Sequence, residues 1–124
     1  MAVDMEKALA MSEEEVQEKL TEVAFEMIAN VGTARGMYIE AIQEAKKGEY
    51  EKAGKLIEEG KQIFVEGHHA HSDVLAMQAS GVKIPMNIFL MHAEDQMLTA
   101  ESFEIMANEL IAVYKLMEER IAGK

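Results

Sequence analysis

Residues 85–121 read PMNIFLMHAEDQMLTAESFEIMANELIAVYKLMEERI, and the placing of apolar residues in this stretch decides the fold. Ile88, Phe89, Leu90 and Met91 are contiguous. Met97, Leu98, Phe103, Ile105, Met106, Leu110, Ile111, Val113, Tyr114, Leu116 and Met117 then cover most of a helix circumference. A helix that is apolar all round is buried all round. In a monomer of three helices, each helix should show one face to water. The simplest resolution is that this helix also faces copies of itself in a homo-oligomer.

Working outward, the preceding segments carry ordinary one-sided patterns. Ser12 followed by Glu13, Glu14 and Glu15 is a helix start, with Ser12 as N-cap and Glu15 at the capping-box position. Val16, Leu20, Val23, Met27, Val31, Ala34, Tyr38, Ala41 and Ala45 then recur at steps of three and four, a stripe along about nine turns that Gly48 ends. A second helix starts near Glu49, with Ala53, Leu56, Gly60, Ile63, Gly67, Val74 and Leu75 on its expected inner face. Gly60 and Gly67 lower helix propensity there, which close approach of a neighbouring helix would offset. Ser80-Gly81 breaks the pattern, and Pro85 suits the first turn of a third helix. The expectation is a single all-α domain over residues 1–124, three long antiparallel helices in up-down-up order, with residues 1–11 frayed or disordered.

Composition narrows the function. The chain has 124 residues, enough for one core. With 12 Lys and Arg against 23 Asp and Glu, the net charge is −11, which argues against nucleic acid or an anionic membrane as partner. There is no Cys, so disulfides, zinc-thiolate sites and thiol nucleophiles are absent. No apolar run reaches the roughly 20 residues that span a bilayer, and the first eleven residues lack the order of a secretion signal. A cytoplasmic location is expected. No Gly-x-Gly-x-x-Gly, P-loop or Gly-x-Ser-x-Gly pattern supports nucleotide binding or serine hydrolysis.

The chemistry-bearing residues cluster around four histidines. His92 and Asp95 share a face of the third helix. A carboxylate on an apolar face needs a partner, a protonated state or a cation. If copies of Asp95 met at an oligomer axis they would raise one another's pKa or recruit a hard cation such as Mg²⁺; the alternative is a hydrogen bond to a neighbouring helix. His68 and His71, three apart, could seat a transition metal, but no Glu-x-x-His or His-Glu-x-x-His surrounds them. What remains is a histidine able to act as nucleophile with no nucleotide site beside it, which suits a protein relaying a phosphoryl group.

At these residues the sequence resembles the enzyme IIA component of the lactose/cellobiose class of the bacterial phosphoenolpyruvate-dependent sugar phosphotransferase system. Phe25-Glu26-Met27-Ile28-Ala29-Asn30-Val31-Gly32-Thr33-Ala34-Arg35 looks like the family's F-E-I-V-x-x-A-G-x-A-R. Glu66-Gly67-His68 through Ser72, then Ala79-Ser80-Gly81, is similar to its E-A-H-x-x-Q-T and E-A-S-G. Met91-His92-Ala93-Glu94-Asp95-Gln96-Met97-Leu98-Thr99 falls on M-H-[AG]-Q-D-H-L-M-T.

The resemblance implies a homotrimer, a nine-helix bundle. It implies that His92 accepts phosphate from phospho-HPr and passes it to a cysteine of the IIB component during disaccharide uptake. It also implies that Asp95 holds one Mg²⁺ per trimer at the threefold axis. The membrane would be reached only indirectly, through the IIC permease. Glu94 stands where the family has Gln, Gln96 where it has a second His, and His71-Ser72 where it has Gln-Thr. His68, Glu94 and Gln96 are therefore possible supporting residues. Glu94 is expected to disfavour phosphorylation unless it points away or is neutralised. The alternative function is a non-catalytic trimeric helical interaction or regulatory protein derived from the family.

Overall fold

A computed structural model describes residues 4–123. The chain runs through a short helix α1 (Met5–Leu9) and three long ones, α2 (Glu13–Lys46), α3 (Tyr50–Ala79) and α4 (Ile88–Ala122), with no strand among the described residues. The all-α, three-long-helix expectation holds. Over residues 4–11 the structure differs from the expected fraying. Met5–Leu9 form a helix whose N-cap, Asp4, accepts from the Lys7 amide at 3.2 Å, and Ala8 is buried against the core. Residues 1–3 lie outside the described residues.

Four of the six ends of the long helices have a local chemical reason; the N-cap of α3, Glu49, makes no side-chain cap hydrogen bond. Ser12 Oγ accepts from the Glu15 amide at 3.2 Å while Glu15 Oε1 accepts from the Ser12 amide at 3.3 Å, the reciprocal capping box. At the far end of α2, Glu49 N donates to Glu44 O and Gly48 N to Ala45 O, with Gly48 at φ +82°. The end of α3 repeats this with Val82 N to Met77 O, Gly81 N to Gln78 O, and Gly81 at φ +99°. Both are Schellman closures, which need a left-handed residue where glycine carries no Cβ penalty. Pro85 does not open the last helix. α4 starts at Ile88, and Asn87 is its N-cap, accepting from the Leu90 amide at 3.0 Å.

All nine residues of the expected α2 stripe are buried, from Val16 to Ala45. They form the middle of the protomer, because α2 packs along both α3 and α4 while α3 and α4 touch each other little. The α3 stripe is rotated slightly from expectation. Ile57, Ala70 and Met77 join Ala53, Gly60, Gly67 and Val74 inside, whereas Leu75 is exposed. On α4 the buried positions are Leu90, Ala93, Met97, Ala100 and Ala107, at alternating steps of three and four up to Ala100 and then a step of seven. Three of these five are alanines. Their small side chains let α4 lie close against α2.

The opposite face of α4 is uncovered. Ile88, Met91, Leu98, Ile105, Met106, Val113, Leu116, Met117 and Ile121 are all exposed in the single chain, Ile88 by 73% and Ile121 by 70%. Scattered exposed apolar residues are ordinary, but here they form a continuous stripe along one helix.

Tyr38 shows how tightly α2 and α3 meet. It is 1% exposed and lies over Gly60, where an added Cβ would stand 2.6 Å from Tyr38 Cε1 and 3.3 Å from Ala34 O. Burial, and then the charge of Glu104, push the Tyr38 hydroxyl up to about 12, so it is neutral at physiological pH. Gly60→Ala should therefore destabilise the fold by about 1–3 kcal/mol, since the buried ring cannot swing clear. Gly54→Ala, on the same helix with nothing near its absent side chain, should stabilise it by about 0.5–1 kcal/mol. Denaturant unfolding at one protein concentration checks both.

Candidate functional site

The start of α4 is fastened to α2 before the chain reaches His92. Asn87 Nδ2 donates to Gln17 Oε1 at 2.9 Å and to Thr21 Oγ1 at 3.0 Å, and Gln17 Nε2 donates to the Met86 carbonyl at 3.0 Å. One residue therefore caps α4 and ties it to α2. Just beyond, the rings of Phe25 and Phe89 pack 5.3 Å apart at a 36° tilt. His92 follows one turn later on this anchored stretch, and its side chain is exposed. An imidazole that is accessible on a rigid element fits a group that must meet a docking protein.

The residues after His92 diverge because of helix geometry. Each residue turns about 100° around the axis, so Glu94 points about 200° away from His92, Asp95 about 60° to one side, and Gln96 sits one turn on, about 40° to the other side. Glu94 consequently faces α3, where Glu94 Oε2 lies 2.8 Å from His71 Nε2. The added carboxylate thus points away from His92 and lies against His71. Gln96 faces α2, where its Oε1 accepts from Arg35 Nη1 at 3.0 Å.

Asp95 is exposed, on the uncovered side of α4 between Met91 and Leu98. Its carboxylate has no hydrogen-bond or ion-pair partner among the described residues of this chain, so the hydrogen bond to a neighbouring helix, weighed as the alternative, is not formed within one protomer. A single carboxylate is too few donors for a divalent cation, and among the described residues no three His, Asp or Glu side chains gather into a ligand set. That also leaves the His68 and His71 transition-metal reading without further ligands. Symmetry-related carboxylates with water would suit Mg²⁺, so the donor chemistry fits an ion shared between copies and not one held by a lone chain.

Of the supporting residues read from sequence, Glu94 and Gln96 are each drawn to a different helix. His68 is exposed and its side chain has no hydrogen bond or ion pair among the described residues, whereas His71 meets Glu94. From sequence, His71 is only a possible metal ligand with His68, and Arg35 has no role beyond its place in the family motif. The signal for His71 was present, since it and Glu94 are both departures from one family pattern and the two residues meet in space.

A family model described as "PTS system, Lactose/Cellobiose specific IIA subunit" matches residues 22–115. The lactose-specific EIIA component of Staphylococcus aureus (strain N315) is 35% identical over 105 residues, covering 85% of this chain and 98% of that protein. The lichenan-specific phosphotransferase enzyme IIA component of Bacillus subtilis (strain 168) is 30% identical over 109 residues, covering 87% and 99%. Among solved structures, the cellobiose-specific enzyme IIA from Bacillus anthracis superposes with a TM-score of 0.77 at 30% identity, covering 88% of this chain and 94% of that one.

The His71–Glu94 contact is partly exposed, 12% and 41% at the two side chains, so it should contribute modestly. A double-mutant cycle with His71→Ala and Glu94→Gln, read by thermal unfolding at one protein concentration, should give a coupling of about 0.5–1 kcal/mol. Strict additivity would mean the pair is not formed in solution.

Proposed function

This chain belongs to the lactose/cellobiose-specific IIA family of the sugar phosphotransferase system, a phosphotransfer component, and on that premise we propose that His92 is its phosphoryl acceptor. Phospho-HPr is the donor and a cysteine of the IIB component is the recipient. The observation that carries this reading is the placing of His92. It is exposed on an anchored helix, with the neighbouring acid turned away to His71.

The chemistry asks little of the protein beyond position and charge. A ring nitrogen of His92 attacks the phosphorus held on the donor's imidazole. The new N–P bond forms as the donor's N–P bond breaks, and the electron pair returns to the donor nitrogen. The proton on the other ring nitrogen of His92 is lost as a proton is gained by the donor ring, so charge balances. The second transfer repeats the displacement with a thiolate as the attacking group. Phosphoryl transfer of this kind is governed by alignment and by stabilisation of charge on the three oxygens.

The uncovered face of α4 supports self-association as a homotrimer with the three α4 helices innermost. Burial of nine apolar side chains that are otherwise in water favours such contact by about 25 cal/mol per Å². In that arrangement the Asp95 carboxylates converge and together hold one Mg²⁺, which would neutralise charge that is otherwise repulsive. No described helix is long and apolar enough to cross a membrane; the family reading has the protein work in the cytoplasm and meet the membrane only through its partners. The relatives' names carry three different sugars, lactose, lichenan and cellobiose, and the proposed role is common to all of them.

Incubation with phosphoenolpyruvate, enzyme I and HPr should add one phosphoryl mass to the wild-type chain and none to His92→Ala, whose helical far-UV signal should be unchanged. Labelling of His92→Ala would move the acceptor elsewhere, and an unlabelled wild type would favour the non-catalytic interaction protein. Asp95→Leu should keep the trimer, because three apolar contacts replace three carboxylates, and should no longer retain Mg²⁺ by elemental analysis after dialysis. Dissociation to monomers in ultracentrifugation would contradict the axial position.

A further inference from the structure

Arg35 is a cation without an anion. The chain carries 23 carboxylate residues against 12 Lys and Arg, yet among the described residues none stands within ion-pair distance of this guanidinium. Its recorded partner is a neutral amide, Gln96 Oε1 at 3.0 Å, and the side chain is half-buried between α2 and α4. A guanidinium has five N–H donors, so most remain free after that bond. Partial burial also strips water from a charge, which raises its affinity for an incoming anion.

The location gives this cation a purpose. Gln96 lies four residues after His92, hence one turn along nearly the same face, about 5–6 Å between Cβ atoms. Side chains on a helix lean toward its N-terminus, and α2 and α4 run parallel. The hydrogen bond to Gln96 thus places the Arg35 guanidinium about one turn of α4 from His92.

We propose that Arg35 is a catalytic residue of this chain, receiving the charge of the phosphoryl group when that group sits on His92. This rests on the carrier reading above and deepens it. A phosphoryl group brings a charge of about −2 into a chain that is already at −11, with Asp95 three residues from the attachment point. Glu94 is disposed of by His71, but that removes a repulsion and supplies no attraction. The planar fork of Arg35 matches two phosphoryl oxygens at once, which a lysine cannot do. Gln96 Oε1 holds the fork ready, and the bond that Arg35 makes to it is exchanged for, or shared with, the arriving oxygens as the N–P bond to His92 forms and the donor's N–P bond breaks.

The test uses the full-length chain with phospho-HPr as phosphoryl donor, reading the initial rate and the final phosphorylated fraction by intact mass. Arg35→Gln should lower the rate about 100-fold, the loss typical of removing one preorganised donor from a developing anion. Arg35→Lys should recover part of it, by charge without the fork. Gln96→Leu should cost only a few-fold, because the guanidinium remains. Thermal midpoints are recorded for each. Should Arg35→Gln not fold, Arg35→Lys decides: a several-fold loss sustains the role and an unchanged rate removes it. Wild-type rates in Arg35→Gln, or equal losses in Arg35→Gln and Gln96→Leu, would overturn the inference while leaving the carrier reading intact. A wild-type chain that takes no phosphate would remove both together.

Discussion

The alanines at positions 93, 100 and 107 set how near α4 can lie to α2, and much of the molecule follows from that contact. All three are fully buried. A close seam on one side of α4 requires small residues there, so the bulky apolar residues of this helix are left on the side facing away. A sequence with Leu at those three positions would hold the helix further out and fill space within the protomer. With Ala, the protomer is complete along α2 and incomplete along α4. α4 then contributes less to the fold of its own chain than its hydrophobicity suggests.

The site inherits its arrangement from the same seam. Because Ala93 and Met97 face inward, helix geometry sends His92 and Asp95 outward and turns Glu94 and Gln96 toward the two flanking helices. The two departures from the family pattern nearest His92 are thereby held by different helices. Glu94 is held at His71 on α3, away from the imidazole, and Gln96 becomes the resting point of Arg35 on α2. Asn87 and the Phe25–Phe89 pair fix the start of α4, so these directions are set by anchored backbone and not by loops.

Much of this was legible in the sequence for identifiable reasons. The α2 stripe is regular over nine positions, so its phase cannot be mistaken, and Gly48 and Gly81 are the left-handed residues of their helix ends. Where α3 offers Val74 and Leu75 side by side, period alone cannot choose between them, and packing against α2 admitted only Val74. Pro85 is acceptable in a first helical turn, but Asn87 makes three hydrogen bonds at once, two of them to residues some seventy positions away. Local pattern does not register such a gain. The same holds for the partnership of Glu94 with His71, 23 residues apart on different helices, and of Arg35 with Gln96, 61 apart. The five-residue α1 is too short for any period to announce it.

Sedimentation equilibrium of the purified wild-type chain addresses the uncovered face of α4 most directly. The account requires a particle three times the 13.8 kDa of the single chain, persisting to low micromolar concentration. A stable monomer, with its long apolar stripe open to water and no tendency to associate, would contradict it.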